Sequence, residues 1–276
     1  MARISVRMPS PQGVGAGQTA TFKLPIGRRY HALYLTYSGT TFALLHMNEI
    51  RVIVNGKVIH RYSGVECDTM NKFDGRAAAN GTLTIPFDRY KLKTVPAEIE
   101  TALNTGSIDP KTGVSITSVT VEIDIDALAV APVLSMTALQ SDTLVGGAGT
   151  ILHRGKFNYS PTGAGEFAIS DLPRGNSTSM AQNRIVFIPD VNSISKVTIE
   201  RNGYTVFERS KALNEMIQTD GVRKPQSGYI VVDRTEGGYG GDPLSLLQVH
   251  DLRYKLEMTG ASNITILTEN LGRLGD

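Results

Sequence analysis

The chain has one cysteine, no tryptophan and only 7% aromatic residues, and each scarcity closes off a class of function. Cys67, being alone, excludes an internal disulfide and suits assembly in a reducing cytoplasm, where a lone thiol is ordinarily a packing residue. Without tryptophan, the flat aromatic platforms that bind sugars are hard to build. No stretch approaches the roughly 20 apolar residues of a membrane span. The opening Met1-Ala2-Arg3-Ile4-Ser5-Val6-Arg7-Met8-Pro9 lacks an apolar leader core, so no secretory route is expected. A net charge of +2 over 276 residues gives no reason to expect nucleic acid as a partner.

Catalytic and cofactor signatures are missing too. Gly13-Val14-Gly15-Ala16-Gly17 leads into Gln18–Leu24, which alternates at the strand period instead of opening the helix that a dinucleotide fingerprint needs. Residues 1–18 therefore read as a flexible arm. Gly149-Thr150-Ile151-Leu152-His153-Arg154-Gly155-Lys156-Phe157 has one residue too many between its glycines for a phosphate loop, and Phe157 stands where a magnesium-holding Ser or Thr belongs. His31, His46, His60, His153 and His250 show neither metal-ligand spacing nor a neighbouring nucleophile. The expectation is a protein that is not an enzyme.

What is present is a pattern that occurs twice. Ile50–Arg61 carries β-branched residues on both sides of Asn55-Gly56, and Val197–Arg209 does the same around Asn202-Gly203, 147 residues later. Asn-Gly tolerates the positive φ angles of a two-residue hairpin turn, so each segment predicts a β-hairpin. The neighbours recur at nearly the same offset. Phe22-Lys23-Leu24 answers Phe167-Ala168-Ile169, Ala32–Leu35 answers Arg184–Phe187, and Asp74-Gly75 answers Asp220-Gly221. The pairs Asp88-Arg89 and Asp233-Arg234 also correspond, 145 apart. Two tandem copies of one all-β domain follow, 1–130 with the N-terminal arm and 131–276, a size that leaves each copy a real core.

Three short helices are expected. Residues 65–73 and 210–217 each follow a hairpin, the second placing Leu213, Met216 and Ile217 on one face, and Pro96–Leu103 has proline and acids at its start. Ser118–Asp126 alternates strictly as a strand. Leu252–Met258 and Asn263–Thr268, joined through Gly260, read as a closing antiparallel hairpin. The two-residue period puts Glu122, Asp124 and Asp126 on one side of their strand. There they would either contribute oxygen ligands to a structural calcium site or form a solvated or interface-paired acidic face. The loop Glu236–Asp242 offers acids and carbonyls of the same kind, or is a surface turn.

Short matches in order along the chain carry a resemblance. They are Lys23-Leu24-Pro25-Ile26-Gly27 with Tyr30, Tyr37-Ser38-Gly39, Arg51-Val52 through Asn55-Gly56, and Glu122–Asp126 running into Pro132-Val133-Leu134-Ser135. Ile169-Ser170-Asp171-Leu172-Pro173-Arg174 and Asp251–Leu256 complete the set. The chain thereby resembles the double jelly-roll major capsid proteins of icosahedral, membrane-containing viruses, those of corticoviruses in particular.

That resemblance implies two jelly-roll sandwiches per chain and a homotrimer presenting a pseudo-hexagonal outline. It implies neighbouring capsomers, a penton or vertex protein and an internal viral membrane as partners, within a virion assembled in the host cytoplasm. It also associates calcium with shell stability. Arg3, Arg7, Arg28 and Arg29, clustered near the start, would face anionic headgroups if that end points inward. The competing readings are a carbohydrate-binding or carbohydrate-processing double sandwich, and a vertex or spike protein of the same virus class.

Overall fold

The computed structural model describes residues 3–174 and 180–275. The first half comprises β1 (Ile4–Arg7), β2 (Thr19–Leu24), β3 (Arg29–Ser38), β4 (Met47–Val54) and β5 (Lys57–Tyr62). It continues with α1 (Gly64–Phe73), β6 (Thr82–Pro86), α2 (Val95–Ile99), β7 (Leu103–Asn104), β8 (Val119–Ile125) and β9 (Val133–Ser141). The second half comprises β10 (Thr150–Tyr159), β11 (Gly165–Ile169), β12 (Ala181–Pro189), β13 (Ile194–Arg201) and β14 (Tyr204–Ser210). After these come α3 (Lys211–Gln218), β15 (Ile230–Asp233), β16 (Leu244–Ser245), β17 (Leu252–Met258) and β18 (Ile264–Arg273).

Each half is a sandwich of two four-stranded sheets. In the first they run β1-β9-β3-β6, with β7 added on β3, and β2-β8-β4-β5; in the second, β10-β18-β12-β15, with β16 added on β12, and β11-β17-β13-β14. Replacing β1 by β10, β2 by β11 and so on converts every pairing of one half into a pairing of the other. The chain is two jelly rolls in tandem. Duplication therefore holds at the level of hydrogen-bonded partners and not merely of sequence spacing.

Local chemistry explains the shared landmarks. Asn55 and Gly56 take φ of 51° and 78°, Asn202 and Gly203 of 50° and 82°, the left-handed pair that closes a twisted hairpin. Ser63 caps α1 by accepting from the Glu66 amide, while Glu66 accepts from the Ser63 amide. Ser210 caps α3 in the same place. Alternating apolar residues fill each sandwich, Phe22, Leu33, Ile50, Val121 and Met136 in the first, Ile185, Phe187, Ile199, Leu256 and Ile266 in the second. Each such side chain contributes about 1.5–3 kcal/mol by leaving water.

Five expectations need correction. The arm is not free: Ile4–Arg7 pairs along β9, because its backbone completes the edge of that sheet. The first domain does not end near Val130, since β9 pairs with β3 over nearly its whole length; the chain passes between domains after Ser141. Leu252–Met258 and Ile264–Arg273 are not hairpin partners but lie in opposite sheets, β17 against β13 and β18 against β12. Asp88-Arg89 and Asp233-Arg234 are not equivalent. Ala32 faces Pro86 where Arg184 faces Asp233, so the counterpart of Asp233 is Pro86. Finally, the helix expected over Pro96–Leu103 spans Val95–Ile99.

Candidate functional site

The two sandwiches meet where β10, an edge strand of the second, runs beside β5, an edge strand of the first, with Arg154 opposite His60. The contact joins four strands of each domain into one continuous sheet. Across the second domain's half of it runs a row of charged residues in register, Arg154 on β10, Glu269 on β18, Arg184 on β12 and Asp233 on β15. Signs alternate along the row. Arg154 donates to Glu269 at 2.8 Å and to the Pro86 carbonyl of the first domain at 2.9 Å. Arg184 donates to Asp74 of the first domain at 2.8 Å and to Asp233 Oδ2 at 3.3 Å, and Arg223 donates to that same oxygen at 2.6 Å.

Buried charges persist only when paired. Burial pushes the Glu269 carboxyl up, but Arg154 and Arg184 outweigh it and hold it down at about 2. The Asp233 carboxyl is likewise held below its ordinary value, Arg184 and Arg223 overcoming its desolvation. His60, packed between the rings of Tyr62 and Phe87 at 6.0 and 5.4 Å, is driven well below the ordinary histidine value by burial and then by Arg154.

Helix α1 covers the next row along the same face, Lys156, Leu267, Val186 and Val231. Its Glu66 pairs with Lys156 at 2.6 Å, Thr69 meets the Tyr229 hydroxyl, and Met70 packs with Phe73 against Val186, Val231 and Leu267 of the second domain. None of these junction residues stood out in the sequence. One signal was available: Arg184 heads the apolar run Ile185–Ile188 at the position where the first copy has Ala32.

The acidic strand is accounted for differently. Arg51 lies among Glu49, Glu122 and Asp124, donating to Glu49 at 2.7 Å, to Glu122 at 3.1 Å and to Asp124 at 2.7 Å. Desolvation works to raise the Asp124 carboxyl, yet Arg51 and Thr19 hold it below its usual range. Asp126 stands apart, accepting from the Leu128 amide and from Asn48. The structure thus does not gather the three carboxylates, and among the described residues no group of three or more His, Cys, Asp or Glu is arranged to hold a metal ion. Glu236 of the other acidic loop pairs with Arg209 at 2.7 Å. The four basic residues near the start do not form one patch either. Arg3 pairs with Asp88 at 3.2 Å, Arg28 with Asp142, and the buried Arg29 donates to the Ile99 carbonyl, which leaves Arg7 on an exposed edge.

One constellation was invisible in the sequence. His31 Nδ1 lies 2.9 Å from Asp88 and its Nε2 2.8 Å from Ser141 Oγ, the contact order of a hydrolytic triad. All three side chains are buried. They tie β3, β9 and the segment after β6 together. Two roomier clefts, of 320 and 400 Å³, have among the described residues Asp109 and Glu100 respectively as their only carboxylate, so the described residues of neither supply the facing pair that glycoside hydrolysis needs. Ser141 and His31 line neither of them.

Comparison with known proteins follows the same two-part division. A family model described as the viral coat protein P2 N-terminal domain matches residues 5–142, and one described as its C-terminal domain matches residues 151–274. The major capsid protein P2 of Pseudoalteromonas phage PM2 is 26% identical over 278 residues, spanning 98% of this chain and 97% of that protein. The crystal structure of that phage's P2 superposes with a TM-score of 0.87 at 24% identity, covering all of both chains. The Sulfolobus Turreted Icosahedral Virus structure superposes with a TM-score of 0.68 at 11% identity over 98% of this chain and 91% of the matched one.

Proposed function

This chain belongs to the viral coat protein P2 family, and on that premise we propose that three copies close into a pseudo-hexagonal capsomer that tiles the facets of an icosahedral bacteriophage shell. The role itself is structural: the chain is a major capsid protein and not an enzyme. The observation that carries the trimer is the duplication of every strand pairing along one chain. Three copies then present six similar sides to six neighbours, while divergence between the halves lets alternate sides make different contacts.

The same reading places a penton or vertex protein at the fivefold positions, an internal membrane beneath the shell, and assembly in the host cytoplasm. Support for the membrane partner from this chain's own residues is confined to Arg7, the one exposed member of the basic group for which no acidic partner is given above. Native mass spectrometry of the purified chain tests the trimer. A species of three times 29.8 kDa is expected, and a monomer at micromolar concentration would sink it.

A further inference from the structure

Helices α1 and α3 are built alike and end differently. Each anchors to its own domain through two polar side chains one turn apart that donate to a single strand carbonyl. Cys67 and Asn71 reach the Thr84 carbonyl at 3.4 and 2.7 Å, and Asn214 and Gln218 reach the Val231 carbonyl, both at 2.7 Å. The shift of 147 residues that superposes these anchors superposes Glu66, Thr69 and Met70 on Leu213, Met216 and Ile217. On α1 those three positions are the domain junction. On α3 they are an apolar face left 42%, 67% and 39% exposed, while the helix buries its amides instead. An amphipathic helix with its apolar side outward is covered by something.

The surface that α1 covers has its own duplicate. The row Lys156, Leu267, Val186, Val231 runs in register across β10, β18, β12 and β15. Its counterpart across β1, β9, β3 and β6 is Arg7, Thr137, Tyr34, Thr84. Arg7 is exposed and the other three are half-buried. Within one chain, therefore, one helix face and one strand face are joined, and the equivalent helix face and strand face both remain open.

We infer that the Leu213, Met216 and Ile217 face of α3 docks on the Arg7, Thr137, Tyr34 and Thr84 face of a second copy of this chain, repeating between subunits the junction that α1 makes within one. The edge of β14 then runs beside β1 of that copy, as β5 runs beside β10, with Phe207 in the place of His60 and Ser5 in that of Arg154. Such a contact is heterologous, and by itself it builds rings or open chains; it rests on the trimer reading for its closure at three.

Two variants test it. Met216→Asp places a charge at the centre of the apolar face; the expected result is a dissociation constant raised about a hundredfold or more with the circular-dichroism spectrum of the folded chain unchanged. An undiminished trimer overturns the inference. Because Tyr229 meets Thr69 within the chain, its duplicate Thr82 should approach Met216 of the next copy. With Cys67 buried, a Thr82→Cys, Met216→Cys double variant treated with a short bis-maleimide should give a covalent trimer on a denaturing gel. A native trimer that fails to cross-link overturns this surface and leaves the trimer standing. A parent protein that is monomeric overturns both.

Discussion

Arg184 of the second domain donates to Asp74 of the first across 2.8 Å, from within a charged row that four strands bring into register. The sheet supplies the row, and α1, which Asp74 terminates, brings the acid to it. Coupling between the sandwiches is therefore electrostatic as well as apolar, and it depends on partners 110 residues apart.

Asp74→Ala removes the first domain's share of that pair while Asp233 still holds Arg184. A loss of about 1–2 kcal/mol is expected. Calorimetry should show the single unfolding transition splitting into two. Arg184→Met leaves Glu269 with Arg154 and Asp233 with Arg223 but strands Asp74, and should cost about 2–4 kcal/mol. An unsplit transition of unchanged midpoint in both variants would remove the row from any role in coupling.

Acid should loosen the junction in two steps, both of the same sign. Glu269 titrates at about 2 when folded and near 4.5 when unfolded, so its contribution is complete above about 4.5 and is lost as pH falls toward 2. His60 is held neutral below its unfolded value of about 6.5, so the unfolded chain takes up a proton that the folded one refuses, and stability declines as pH drops below about 6.5. In His60→Leu the melting temperature should become flat between pH 7 and 5 while the steeper loss below 4.5 persists. A variant that keeps the upper slope would assign it to another group.

The acidic face should respond to calcium only when its arginine is gone. In the native chain Arg51 supplies the positive charge, so a chelator is expected to leave the melting temperature unmoved. Arg51→Ala leaves Glu122 and Asp124 to repel one another beside Glu49, which Arg61 still holds, at a cost on the order of 1 kcal/mol for a partly exposed group. Added calcium should then restore part of the loss. A native protein that melts several degrees lower in chelator would show a bound ion.

Asn55 and Asn202 should prove interchangeable in effect. Each side-chain oxygen accepts from two consecutive amides of a distant loop, Thr117 and Ser118 for Asn55, His250 and Asp251 for Asn202. Each amide group donates back to that loop, to Ser115 and Gln248. Alanine at either site loses these bonds and strains a positive φ, about 2–3 kcal/mol in all. Glycine keeps the turn and forfeits only the bonds. Urea denaturation of the four variants would show glycine less damaging than alanine at both positions; the reverse order would mean that the positive φ imposes no appreciable strain on alanine there.

Ser141 should be inert despite its neighbours. A fluorophosphonate probe is expected not to label the native chain, and His31→Ala should lower stability rather than abolish a hydrolytic activity. Labelling that disappears in Ser141→Ala would make the buried cluster reactive after all.

How much of this was legible follows from range. The Asn-Gly turns, the helices that follow them and the alternation of Val119–Ile125 depend on residues within a few positions of one another. Leu252–Met258 and Ile264–Arg273 alternate so well that they read as partners, yet alternation reports only which side chains face inward and says nothing of which strand lies alongside. The same blindness hid β1, which pairs with the distant β9, and the row from Arg154 to Asp233.

The sequence alone determined that one β module occurs twice, because turn chemistry and spacing survive divergence and are written locally. The tertiary structure alone decided which faces meet, since burying a charge or exposing an apolar helix depends on surfaces assembled from residues more than a hundred positions apart. Met70 and Ile217 occupy matching sites on duplicate helices, and only the packed molecule shows one covered by a neighbouring domain and the other open.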